Sequence, residues 1–164
     1  MTGWSEFAVV TGGASAALVG LLFVAVTLRI DAISRASDLR SRAAQTLTLF
    51  GLALVVAIVL TVPDQPAYAL GAGLVVIAVV GGAAMLVLNR RAEKVSHQDP
   101  IARVLDRVGP NGTTIVLIAA TGALTAVDVT WGIYLLVPAE LAALVGGVIS
   151  AWLFLIKISD TSPG

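Results

Sequence analysis

The sequence predicts an all-α integral membrane protein, a bundle of about five transmembrane helices. Hydrophobic residues make up 58% of the 164 residues and charged residues only 12%, with a mean hydropathy of +0.98. Soluble domains carry about 25% charged residues. In addition, five apolar segments are each long enough to cross about 30 Å of hydrocarbon. Finally, the basic residues cluster at alternate ends of these segments.

Composition also excludes several classes of function. The formal net charge is zero, so no overall field attracts nucleic acid. The chain has no cysteine and a single histidine, His97, which leaves no thiolate or multi-histidine metal site within it. It contains no phosphate-binding glycine loop, nucleophile elbow or zinc-protease motif. We therefore expect a non-enzymatic protein without a metal or cofactor.

The apolar segments define a single membrane domain over residues 1–164. The predicted spans lie at about 7–28, 43–62, 67–88, 113–136 and 138–158. The N-terminal residues lack the basic region of a cleaved signal peptide, so the first span is expected to remain. A Pro-Asp-Gln-Pro sequence at 63–66 ends the second span, because proline interrupts helices. Pro138 marks the expected turn between the last two spans.

The distribution of charge predicts the orientation. All Lys and Arg residues lie in the loops after spans one and three or at the end of span five: Arg29, Arg35, Arg40, Arg42, Arg90, Arg91, Lys94, Arg103, Arg107 and Lys157. Basic loops stay in the cytoplasm, which places the N-terminus outside and the C-terminus inside. The carboxylates Glu6, Asp64, Asp128 and Glu140 are then at or near the outer face.

The second basic loop contains a candidate amphipathic helix at about 100–108. Asp99 can cap it, and Ile101, Val104, Leu105 and Val108 repeat at helical spacing. One interpretation is a regulatory or partner-docking helix on the inner membrane surface. The other is a connector that rests its apolar side in the interface.

A polar stripe distinguishes the predicted fourth span. Thr114, Thr121, Thr125 and Asp128 fall within about 40° of one line on a helix. No Lys or Arg is predicted at the depth of Asp128, where a charge in hydrocarbon is costly. The stripe either lines a water-filled pathway with Asp128 as its proton or cation site, or consists of threonines bonded to their own backbone, with Asp128 at the outer interface.

Small residues recur four apart on two spans, as in helices that pack closely in lipid. The ladders are Gly12, Ala16 and Gly20 on span one, and Ala139, Ala143, Gly147 and Ala151 on span five. They predict either close packing within one bundle or association with another subunit.

The stretch Gly-Ala-Ser-Ala-Ala-Leu-Val-Gly-Leu-Leu-Phe-Val-Ala-Val at 13–26 resembles the first helix of a family of small, functionally uncharacterised multi-span membrane proteins of high-GC Gram-positive bacteria. The Arg-Ala-Ala-Gln-Thr-Leu sequence at 42–47 is similar to the start of their second span. The resemblance implies a bacterial plasma membrane and carries no catalytic residues.

Two functions remain compatible with these patterns. The first is an accessory or scaffold protein of the lipid bilayer that acts through helix–helix association, as a homo-oligomer or with another membrane protein. The second is a small oligomeric channel or transporter that uses the stripe on span four.

Overall fold

A computed structural model describes the backbone of residues 2–28, 37–93 and 110–160, and the side chains of 4–28, 40–41, 43–90 and 111–152. Every element in these ranges is helical, which confirms the predicted all-α class. The elements are α1 (Thr2–Leu28), α2 (Ser37–Thr61), α3 (Ala67–Glu93), α4 (Pro110–Ala126), a 3-10 helix (Thr130–Leu135) and α5 (Leu136–Asp160).

Four to five of these helices are long and apolar enough to cross a membrane. The four long segments are Trp4–Leu28, Ala43–Thr61, Ala67–Arg90 and Thr130–Trp152. The apolar part of α4, Asn111–Ala126, is shorter. These lengths identify a multi-pass membrane protein. The predicted inner helix at 100–108, and His97 before it, lie outside the described residues.

The turn before α5 differs from the sequence prediction. We expected the fourth span to continue to residue 136 and the chain to turn at Pro138. Instead α4 ends at Ala126, the chain turns at 127–129, and the 3-10 helix leads into α5. Pro138 lies in the first turn of α5, where its missing N–H costs no helical hydrogen bond. The fifth span therefore starts several residues earlier than predicted.

The core lies between α2, α3, α4 and α5. Its buried members are Val56, Leu70, Leu74, Ala78, Ile118, Leu136 and Ala139. Side chains also link α2 to α3 at one end of the bundle: the Ser41 hydroxyl donates to the Leu88 carbonyl at 3.3 Å, and the Gln45 amide donates to the Asn89 side-chain oxygen at 2.7 Å. α1 packs along α2 and makes far fewer contacts with α5. It is therefore a peripheral helix.

Two glycines bring the backbones of α3 and α4 into contact. A Cβ atom added to Gly122 would lie 2.8 Å from the carbonyl oxygen of Gly71 and 2.8 Å from the backbone nitrogen of Val75. A Cβ added to Gly71 would in turn overlap the backbone at Ala126 and Gly122. No side chain larger than hydrogen fits at either position, so these glycines set the closest approach of the two helices.

The two ends of the bundle differ in their side chains. Trp4, Tyr68 and Tyr134 lie near the starts of α1, α3 and α5, and we call this the aromatic end. Arg40 lies near the start of α2 and Arg90 near the end of α3, and we call this the basic end. The Trp4 and Tyr134 rings meet edge to face with their centroids 5.3 Å apart, which joins α1 to the 3-10 helix at the aromatic end.

Candidate functional site

The three threonines of the predicted stripe lie inside the bundle. Thr114 and Thr121 are fully buried, and Thr125 is nearly so. The Thr121 hydroxyl donates to the Leu117 carbonyl at 2.8 Å, the backbone bond that is common for threonine in membrane helices. The Thr125 hydroxyl is buried and has no hydrogen-bond partner among the described residues. Within one chain the stripe faces neighbouring helices.

Asp128, the fourth member of the stripe, terminates α4. Its side chain is exposed, and its φ of 61° is left-handed. The Val129 N–H donates to the Leu124 carbonyl at 2.9 Å, and the Asp128 N–H donates to the Thr125 carbonyl at 3.1 Å. These two bonds form a Schellman motif with Asp128 at the position after the C-cap. The structure thus places Asp128 in the turn at the aromatic end.

Thr125 and Asp128 both line a cleft at the aromatic end. Its volume is about 180 Å³, and Trp4, Leu70 and Ile133 form much of its apolar wall. The cleft brings the polar end of the stripe close to α1 and to the 3-10 helix. Thr114 and Thr121 are not among its lining residues.

The small residues of α5 pack inside the bundle. Ala139, Ala143 and Gly147 are buried, and Ala151 is half-buried. A Cβ atom added to Gly147 would overlap the ring of Phe50 on α2. This ladder therefore serves the contact between α5 and its neighbours within one chain.

The small residues of the α1 ladder face two different directions. Gly12 faces α2, because a Cβ added there would lie 3.0 Å from the Cβ of Ala57. Ala16 and Gly20 are exposed on the surface of the bundle. Gly13 and Ala17 are exposed beside them, and an added Cβ at Gly13 or Gly20 would meet nothing within 4 Å. We call residues 13, 16, 17 and 20 the small-residue face of α1.

Among the residues whose side chains are described, Glu140 is the one buried carboxylate. From the sequence we expected Glu140 at or near the outer face, because we expected the turn at Pro138. Because α5 starts at Leu136, Glu140 instead follows more than one helical turn of α5, and its side chain is only 2% exposed. Neither of its carboxyl oxygens has a hydrogen-bond partner among the described residues.

The contacts of neighbouring residues fix the level of Glu140. Gly147 on α5 lies against Phe50 on α2. α2 and α5 are antiparallel. Glu140 precedes Gly147 by seven residues and Ala57 follows Phe50 by seven, about 10 Å of helix in each case, so Glu140 and Ala57 lie at the same level. Ala57 in turn contacts α1 at Gly12. The edge-to-face contact between the Trp4 and Tyr134 rings gives the same register for α1 and α5.

Two hydroxyl-bearing residues of α1 lie at this level on its buried face. Thr11 is 8% exposed, and its hydroxyl donates to the Phe7 carbonyl at 2.9 Å. Ser15 is completely buried, and its hydroxyl oxygen has no hydrogen-bond partner among the described residues. Glu140 on α5 and Thr11 and Ser15 on α1 are thus buried at one level of the bundle, and we call this set of residues the polar seam.

Comparisons with protein-family models, with curated proteins and with solved structures find no match.

The arrangement therefore has to be interpreted from its own chemistry. An ionised carboxylate inside hydrocarbon is costly, and a buried polar atom without a partner costs free energy as well. The polar seam combines both features at one level of the bundle. Sequence reasoning missed Glu140 because it took Pro138 as a helix end. Its burial was nevertheless indicated by the small-residue ladder of Ala139, Ala143 and Gly147. Glu140 lies on the same side of α5 as this ladder, which is the side that packs against other helices.

Proposed function

We propose that the protein is a non-enzymatic accessory or scaffold protein of the bacterial plasma membrane that acts through helix–helix association. In this proposal all five helices cross the bilayer, with the aromatic end outside and the basic end in the cytoplasm. The positive-inside distribution of Arg and Lys supports the orientation. The family resemblance of residues 13–26 supports the bacterial membrane.

The small-residue face of α1 carries this proposal. In the most apolar part of α1 only 17% of the residues are buried within the chain, against 33–44% in the other three long spans. Gly13 and Gly20 lie about 20° apart around the helix, so they form one row. A second helix that packs on this row can approach the α1 backbone closely, which is the main source of helix affinity in lipid.

A second copy of the chain is the partner we propose, with another membrane protein as the alternative. A pore lined by the threonine stripe is less well supported, because Thr114 and Thr121 are fully buried within one chain. A channel of that kind would require α4 to separate from its neighbours. Self-association through α1 requires no such change.

Leucine substitutions on α1 test the proposal. Gly13→Leu and Gly20→Leu fill the row with bulk that a monomer accommodates, since an added Cβ meets nothing within 4 Å at either position. We expect both variants to lose the homo-oligomer, measured by subunit counting through photobleaching in lipid vesicles. The helical content measured by circular dichroism should stay unchanged.

Val76→Leu is the matched control, because Val76 is a 60% exposed residue on α3, away from the small-residue face. It should assemble like the wild type. Wild-type subunit counts in both glycine variants would contradict association through α1. Loss of assembly in Val76→Leu as well would show a general effect of added bulk.

A further inference from the structure

The polar seam lacks the partners that a permanently charged carboxylate would need. Among the described residues the charged side chains nearest the aromatic end are Glu6, Asp64 and Asp128, and all three are exposed acids. The groups that α1 presents to the seam are the hydroxyls of Thr11 and Ser15. From 43 to 61 on α2, and over all of α4, the sequence contains no titratable residue. No cationic group therefore faces Glu140 from these helices.

The number of oxygen atoms favours a proton over a metal cation at this site. The two carboxyl oxygens of Glu140 and the hydroxyl oxygen of Ser15 are buried and have no hydrogen-bond partner in the part of the chain that the structure describes. Thr11 already donates its hydroxyl proton to backbone carbonyls of its own helix. Dehydrated hard cations such as Ca²⁺ and Mg²⁺ take six or more oxygen ligands. A single proton, by contrast, neutralises the carboxylate and turns it into a hydrogen-bond donor.

We propose that Glu140 is a reversible proton-binding site in the membrane domain, with Ser15 on α1 as its hydrogen-bond partner. The bound state is the neutral carboxylic acid. In the structure the Glu140 carboxyl and the Ser15 hydroxyl make no hydrogen bond with any described residue, so a change of side-chain rotamer is needed to join them. Release breaks the O–H bond of the acid, leaves the electron pair on the carboxylate and passes the proton to water. This assignment goes beyond association and does not depend on it.

The surroundings of the seam indicate the direction of proton exchange. Toward the basic end, α1, α2 and α5 enclose a cleft of about 200 Å³ with almost entirely apolar walls, including Leu22, Phe50 and Trp152. Toward the aromatic end, Trp4 at the start of α1 is only about 12 Å from Gly12 along the helix, so the seam is closer to this end of the bundle. We therefore expect Glu140 to exchange protons with water from the aromatic end.

Proton release also bears on how α1 is held. A charged Glu140 attracts water, and water enters only if α1 moves away from α5. α1 makes few contacts with α5, so this movement disrupts little packing. The protonation state of Glu140 thereby controls how closely α1 packs against α5.

Infrared spectroscopy of the full chain in lipid vesicles tests the assignment. A protonated carboxyl group gives a carbonyl band above the amide bands. We expect this band near neutral pH, its loss in Glu140→Gln, and its retention in Asp128→Asn. Raising the pH to about 10 should remove the band, because the carboxyl group loses its proton, and returning to neutral pH should restore it. Absence of the band, persistence in Glu140→Gln or insensitivity to pH would each overturn the proposal.

The partner role of Ser15 has its own readout. Ser15→Ala removes a hydrogen bond from the acid, so the carbonyl band should move to higher frequency. Thr27→Ala is the matched control, because the exposed Thr27 hydroxyl donates to the Val24 carbonyl of its own helix. An unmoved band in Ser15→Ala would refute the role of Ser15.

The experiment remains decisive if Glu140→Gln does not fold. The chain has three glutamates, Glu6, Glu93 and Glu140, and the first is exposed. Carbon-13 labelling of the glutamate carboxyl groups in the wild type shifts the band only if it belongs to a glutamate. A band that moves with aspartate labelling instead would assign the proton to another site.

Discussion

At the scale of single residues, the structure separates two acids that the sequence placed at or near the outer face. For Asp128 the sequence left open a site in the hydrocarbon or a position at the outer interface, and its side chain is exposed in a turn, whereas the side chain of Glu140 is buried. Both positions follow from the early end of α4 at Ala126. The left-handed φ of Asp128 allows that end, since Asp tolerates this conformation better than most residues.

Substitutions at Asp128 should distinguish a helix-terminating role from a charge-carrying one. Asp128→Gly should stabilise the fold or leave it unchanged, because glycine adopts φ 61° without steric cost. Asp128→Val should destabilise it by about 1–2 kcal/mol, since a β-branched residue is unfavourable there. Denaturation by sodium dodecyl sulfate, followed by circular dichroism, measures both effects.

Asp64 provides a control for Asp128. It has a φ of 53° in the turn between α2 and α3, so Asp64→Gly should behave in the same way. A clear loss of stability in Asp128→Gly, with none in Asp64→Gly, would show that the Asp128 side chain itself contributes to the fold.

At the scale of secondary-structure elements, the glycines of the bundle serve different purposes. Gly71 and Gly122 place α3 and α4 in backbone contact, and Gly147 accommodates the Phe50 ring. Gly13 and Gly20 have open space around them. The same residue type thus supports packing inside the chain and leaves a surface available on α1.

Alanine substitutions separate these two groups of glycines. Gly71→Ala should destabilise the fold by about 1–3 kcal/mol, because the added methyl group overlaps backbone atoms that have no rotamer to adjust. Gly20→Ala should leave the stability within about 0.5 kcal/mol of the wild type. The denaturation assay used for Asp128 measures both variants, and equal stability would contradict the close contact of α3 with α4.

At the scale of the whole molecule, the lack of cysteine permits a direct test of topology. Single cysteines at exposed residues of the aromatic end (Asp64→Cys) and of the basic end (Arg90→Cys) report the two sides of the membrane. In intact cells a membrane-impermeant maleimide should label Asp64→Cys, and label Arg90→Cys only after permeabilisation. The reverse pattern would invert the proposed orientation, and labelling of both in intact cells would contradict the separation of the two ends.

Much of the fold follows from the sequence because spanning helices need long apolar segments and satisfy their own backbone hydrogen bonds. The turn at 63–66 was predictable from its two prolines, and Gln65 adds a cap by donating to the Val59 carbonyl at 2.6 Å. The turn at 127–129 was not, because Ala126-Val127-Asp128-Val129 contains neither glycine nor proline. A rare left-handed Asp sets it, and apolarity alone gives no such signal.

The candidate site was less predictable than the fold. The small-residue spacing on α1 and α5 indicated close helix packing, but only tertiary contacts decide which ladder lies inside. Gly12 and Gly20 belong to one row in sequence, yet only Gly12 contacts α2. Likewise nothing in the spacing of span one singles out Ser15. Its unpartnered hydroxyl becomes evident only once the seam with α5 is known.

The peripheral position of α1 has a consequence for biogenesis. During translation α1 and α2 emerge first and can pair as a hairpin at once, whereas the acid that α1 covers arrives with the last helix. Until α5 docks, Ser15 has no acid to meet and Glu140 lacks the cover that α1 provides. A chain stalled before residue 140 contains α1 to α4 but not the acid, so Ser15 should remain without its partner.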